Sequence, residues 1–195
     1  MTVRRGAGYR PRSMVRPPLP LVAVAALFAG AIAWLVAASF RPRDVPTFTP
    51  TRAPIGAAPA VDTVTIDARD PREWRFLSFA RGPLVPPDSA DWDLALRRFR
   101  VVPAGDALRL DTVMFDALRD VPSAGWQPTV FARDTVNPAI ARWYRYDWLS
   151  HLLRARQGVY VVRTRAGLAV KVEFLSYYCP GPEPGCVTLR FARLP

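Results

Sequence analysis

The chain opens with one long apolar run and later switches to short alternating ones. Leu19 to Phe40 is a stretch of 22 residues without a charge. Wound as a helix rising about 1.5 Å per residue, it reaches ~33 Å, slightly more than the ~30 Å hydrocarbon core of a bilayer. From Asp62 onward the period becomes two. Val64 and Ile66 alternate with Thr63, Thr65 and Asp67; Leu77 and Phe79 point opposite to Trp74 and Phe76. Leu168, Val170, Val172 and Phe174 share one side, with Lys171 and Glu173 on the other; Val187, Leu189 and Phe191 alternate with Thr188, Arg190 and Ala192. Such alternation predicts half-buried antiparallel strands. The expected fold class is mainly β, an antiparallel β domain over residues 62–195 preceded by a single transmembrane α-helix over 19–40. Two stretches fit strand or helix equally: Asp91–Val102, and the run carrying Leu108, Leu110, Val113, Phe115 and Leu118.

The remaining segments complete the organisation. Residues 1–18 form a basic segment with Arg4, Arg5, Arg10, Arg12 and Arg16 and no acid. Residues 41–61 carry Pro42, Pro46, Pro50, Pro54 and Pro59, a spacing that forbids a helix and removes strand donors. This predicts a semi-extended tether, with Phe48 and Ile55 as apolar anchors if it docks on a membrane partner. The apolar run is read as a retained signal anchor. A cleavable signal peptide cut after Val36-Ala37-Ala38 is the competing reading, but its apolar region would be shorter. The five arginines before the span outnumber Arg41, Arg43 and Arg52 after it, which favours a cytoplasmic N-terminus. A bacterial inner-membrane protein, single-pass through residues 19–40, with a periplasmic domain is expected.

Charge and cysteines sharpen this picture. The net charge is +11, but residues 1–52 hold eight Arg against one Asp, a net +7. Most of the excess is therefore a topology feature outside the domain, and no nucleic-acid partner is expected. Cys179 and Cys186 flank Pro180-Gly-Pro-Glu-Pro-Gly185, a rigid loop that a disulfide would staple; disulfides persist in oxidising compartments. The last 40 residues then read as a meander, turning at Arg165-Ala166-Gly167 and at the cysteine loop. With two thiols and one His in the chain, no metal site is expected. No Ser/His/Asp or Cys/His relay is read from the sequence, and there is no Gly-rich phosphate loop, so no catalytic residues are assigned and an enzyme is not expected.

Aromatic residues gather around Trp143, Tyr144, Tyr146 and Trp148. Core packing is the ordinary reading, but Trp126, Trp143 and Trp148 are also candidates for partner binding, because Trp is frequent at interface hot spots.

Several ordered motifs carry a resemblance. Asp91-Trp-Asp-Leu-Ala-Leu-Arg-Arg-Phe99 resembles the WDLAF-x-R-Y segment of the HmuY-type haem-binding proteins. Asn137-Pro138, Trp143-Tyr-Arg-Tyr-Asp147, Ser150-His151, Tyr160-Val-Val-Arg-Thr164, Gly167, Phe174-Leu-Ser-Tyr-Tyr178 and Val187-Thr-Leu-Arg-Phe191 are similar to that family in the same order. The resemblance spans residues 62–193 and implies an antiparallel β fold and a haem ligand. Family members are commonly lipoproteins that hold haem between paired His or Met side chains. This chain has an anchor instead, and Arg100-Val-Val-Pro-Ala-Gly105 replaces an Asn/Gly-rich segment. His151 is its only His, and Met114 is the only Met of the domain, so these two are the candidate haem ligands. The sequence favours a non-enzymatic, membrane-anchored accessory subunit of an integral-membrane protein complex, respiratory or photosynthetic. The alternative is an HmuY-like haem-binding protein. No cofactor is expected under the first reading, and haem under the second.

Overall fold

The structure, a computed structural model, describes residues 18–39, 44–51, 61–84, 92–132 and 134–195. It divides into two compact units, Met1–Pro42 and Arg43–Pro195, each described by itself. The first holds helix α1 (Leu19–Ser39), 21 residues long. Its circumference has no charged residue, so it lacks the polar stripe of a surface helix, and it is long and apolar enough to cross a membrane. The Pro18 carbonyl accepts from the Leu21 and Val22 amides at its start, and the Ser39 hydroxyl donates to the Leu35 carbonyl at its end. Arg4, Arg5, Arg10, Arg12, Arg16 and Phe40 lie outside the described residues.

The second unit is built on two antiparallel sheets. The five-stranded sheet runs β1 (Asp62–Asp67), β11 (Glu183–Arg193), β10 (Ala169–Cys179), β9 (Val159–Arg163), β6 (Ala107–Leu110). The four-stranded sheet runs β3 (Gly82–Leu84), β2 (Arg75–Ser78), β4 (Leu94–Arg97), β5 (Arg100–Pro103). A separate hairpin joins β7 (Tyr144–Asp147) to β8 (Leu152–Ala155). The alternating residues set the register. Val64 pairs with Leu189 and Ile66 with Val187, and Phe174 meets Leu189 from the other side. These residues pack with Leu77, Leu94, Leu96 and Val101 of the smaller sheet in one core. Within the ambiguous run 91–102, residues from Leu94 onward form a hairpin rather than a helix. Arg98 turns it with a φ of 54°, and β4 and β5 pair on either side. The run around 108–118 splits into β6 and an irregular segment.

Three expectations need correction. The cysteine loop is shorter than the sequence suggests, because β10 extends to Cys179 and β11 begins at Glu183. The β10–β11 pairing shifts register between Phe174 and Ser176 and between Ser176 and Tyr178, and Tyr178 then pairs with Pro184. Gly185, at φ 121°, has Arg69 where a Cβ would lie, with the Arg69 Cγ 2.6 Å from that position. The disulfide Cys179–Cys186 closes this end with Cα atoms 4.9 Å apart.

The second correction concerns Lys171, placed by alternation on a polar face. That face is covered. Phe115, Leu118 and Trp126 pack over Val159, Val161, Ala169 and Ala192. The buried Lys171 amine donates to the Phe115 carbonyl at 2.9 Å and the Leu118 carbonyl at 2.8 Å, and it lies 4.7 Å from the Phe115 ring centre. Burial pushes its pKa down. Bonds to two backbone carbonyls explain why a lysine tolerates this site.

The third concerns residues 44–51, expected as part of a free tether. They lie on the domain itself. Thr47 bridges Tyr178, the Phe48 amide donates to the Tyr178 carbonyl at 3.2 Å, and Thr51 exchanges bonds with the Thr65 backbone. An extended Pro-rich chain has its non-Pro amides free, and here they pair with backbone groups of β10 and β1 left open beyond the sheet ladder. Phe48 is half-buried. Ile55 lies outside the described residues.

Candidate functional site

The β7–β8 hairpin carries the histidine and three of the aromatic residues. Asn137 starts its approach. Its carbonyl accepts from the Ile140 and Ala141 amides, and its buried side chain bonds the Gln127 carbonyl, the Thr129 hydroxyl and the Ala139 amide. The short turn that follows delivers Trp143 to the core. Trp143 is fully buried, stacked 4.5 Å from Phe174, with its indole N–H donated to the Phe99 carbonyl at 2.9 Å. It is a structural residue, which corrects its candidacy for partner binding: a side chain sealed from solvent presents no surface. Trp126 is half-buried beneath the Arg163 guanidinium, 4.3 Å from its ring centre, and its N–H is used by the Pro122 carbonyl. Only Trp148 of the three is fully presented, at 72 % exposure.

The hairpin tip spans Trp148 to His151. The Asp147 carboxylate accepts from the Leu149 and Ser150 amides and shapes the turn; bonds from the Ser150 hydroxyl and amide hold its pKa below the usual carboxylate range. His151 closes the turn at φ 55°, a left-handed conformation that His adopts more readily than most side chains. Its Nδ1 is 2.6 Å from the Tyr146 hydroxyl oxygen. Among the described residues that bond leaves Nε2 as the one ring nitrogen without a partner. Tyr146, Trp148 and Leu149 are exposed around it. A fixed imidazole beside exposed apolar groups can donate one nitrogen lone pair to a metal centre.

The structure does not bring Met114 to this site. Met114 is 76 % exposed on the segment whose Phe115 and Leu118 pack on the outer face of the five-stranded sheet. The hairpin joins the core on the opposite face, through Leu152. The segment that bears Met114 and the hairpin that bears His151 therefore pack on opposite faces of the five-stranded sheet. The hairpin tip would offer haem one ligand, His151. Among the described residues no group of three or more His, Cys, Asp or Glu gathers for a metal ion. The tyrosine partner of His151 was legible only as one of several aromatics, since hairpin register sets which of them reaches the ring.

No protein-family profile and no curated protein matches the sequence. Solved structures do match in fold. An apo HmuY analog of Tannerella forsythia aligns at a TM-score of 0.59 and 16 % identity, over 69 % of this chain and 96 % of that one. A proposed HmuY-like haem-binding protein of Bacteroides vulgatus aligns at 0.59 and 19 % identity, over 72 % and 97 %. A proposed lipoprotein of Bacteroides fragilis aligns at 0.58 and 19 % identity, over 78 % and 96 %. Each is covered almost end to end, whereas this chain has residues to spare. At these identities the likeness is one of fold, and the β domain of this chain has the HmuY-like fold.

Proposed function

We propose that this chain is a membrane-anchored, non-enzymatic haem-binding protein that holds haem weakly, through His151 alone. The observation that carries the ligand is the fold, shared nearly end to end with a proposed haem-binding protein. The hairpin supports it. The Tyr146 hydroxyl oxygen would accept a hydrogen bond from Nδ1–H, keeping the tautomer in which the Nε2 lone pair is free, and Trp148 and Leu149 would shelter the ligand face from water. Haem would supply an iron centre that accepts a nitrogen ligand, and His151 would hold it. The absence of a pairing Met or His at the tip sets the expected affinity below that of a doubly held haem. The accessory-subunit reading draws support from none of these observations and is set aside.

Titration of the full-length protein in detergent with haem tests this proposal. A saturable Soret shift at one haem per chain, at least tenfold weaker in His151→Ala, is the expected outcome. No saturable shift, or an unchanged one in the variant, would overturn the reading.

The proposed placement is an inner membrane crossed once by α1, with the domain in the periplasm; the Cys179–Cys186 disulfide supports an oxidising compartment. A reporter that folds only in the cytoplasm should work when fused at the N-terminus and fail at the C-terminus. The reverse pattern, or a soluble product beginning at Ser39, contradicts this placement.

A further inference from the structure

Beneath the β7–β8 hairpin lies a cleft of about 660 Å³, the size of a small-molecule site. Its wall carries four guanidinium groups, those of Arg109, Arg145, Arg154 and Arg156, against the single carboxylate of Asp111. Arg109 already pairs with Asp111. Among the described residues the other three form no ion pair; the Arg154 guanidinium donates to the Asp44 carbonyl at 3.3 Å and the Arg156 Nε to the Tyr144 carbonyl at 3.0 Å. Asp147 exerts a weak attraction on Arg154 from beyond ion-pair distance. Among the described residues the cleft therefore keeps three guanidinium groups without an ion-pair partner.

The placement of those charges is unfavourable without a ligand. Arg145 sits directly opposite Arg154 in the hairpin register, and Arg156 follows two residues on. Like charges directly opposite in an antiparallel pair destabilise it. Arg109 is already engaged, by Asp111 and by the Gln157 carbonyl, so the open donors of the cleft belong to the other three arginines. Guanidinium forks match phosphate geometry, and donors arriving from three side chains suit a tetrahedral group better than a planar carboxylate. The walls are fixed: the Tyr178 hydroxyl accepts the Leu153 amide at 2.9 Å, and the Ser176 hydroxyl holds the Pro46 carbonyl of the strap.

We propose that this cleft is a binding site for a phosphate group, borne by a soluble organic phosphate or by a phospholipid headgroup. It rests on charge and register, independently of haem. The test uses the full chain in phosphatidylcholine nanodiscs, titrated calorimetrically with glycerol 3-phosphate at constant ionic strength. Saturable one-to-one binding is expected, weakened at least about 10-fold in Arg145→Ala/Arg154→Ala and unchanged in the exposed control Arg142→Ala. In a parallel arm the same proteins are melted in nanodiscs containing phosphatidylglycerol. A lipid source raises the melting temperature of the parent chain and not of the double variant; a soluble source leaves both unmoved by the lipid. Either pattern supports the site. Absence of saturable binding in both arms, or binding indifferent to the double substitution, overturns it.

Discussion

Replacing Trp143 with alanine is expected to lower the unfolding free energy of the domain by about 3–5 kcal/mol, the range for emptying a buried Trp site. Trp143 has no exposed surface, and it touches elements from both sheets. Its ring stacks on Phe174 of β10 and meets Tyr144 and Tyr177 edge-on. Its N–H holds the β4–β5 turn at the Phe99 carbonyl, which would be left without that donor. The hairpin that bears His151 departs from the next residue, so the loss reaches the candidate site as well. Denaturant unfolding of the full chain, followed by near-ultraviolet dichroism, measures the effect. A cost below 1 kcal/mol would mean that the indole is dispensable and that the packing described here is wrong.

Replacing Cys179 and Cys186 together with alanine is expected to cost about 2.5 kcal/mol, from the chain entropy of a loop of about eight residues. Both cysteines are buried where β10 passes into β11, the two longest strands and the centre of the larger sheet. The same hairpin end receives the strap at Tyr178, so loosening it also loosens residues 44–51. The expected fall in melting temperature is on the order of 10 °C for a domain of this size. Reductant should reproduce the fall in the parent chain and leave the double variant unmoved. A parent chain whose melting ignores reductant would remove this contribution.

The sheets were legible in the sequence because their strands are buried on one face and alternate. Val64/Ile66, Val170/Val172/Phe174 and Val187/Leu189/Phe191 fall on the core side as the period of two requires. What escaped alternation was burial on the second face. Lys171 reads as a solvent residue until Phe115 and Leu118 cover it, a contact 56 and 53 residues away in sequence. The strap escaped for a similar reason, since proline spacing excludes regular structure without saying where the free amides of Phe48 and Thr51 will pair. At the site, His151 and Met114 were found as donor types, but only the topology packs the segments that bear them on opposite faces of the five-stranded sheet. The Arg145–Arg154 opposition was hidden until the hairpin register was known.

The central proposal is that His151 alone would hold haem, and electron paramagnetic resonance of the ferric complex of the full chain tests it most directly. The account predicts a high-spin signal typical of one protein ligand, lost in His151→Ala and unchanged in Met114→Ala. A low-spin, doubly ligated signal that Met114→Ala converts to high spin would contradict it, as would a spectrum that His151→Ala leaves intact.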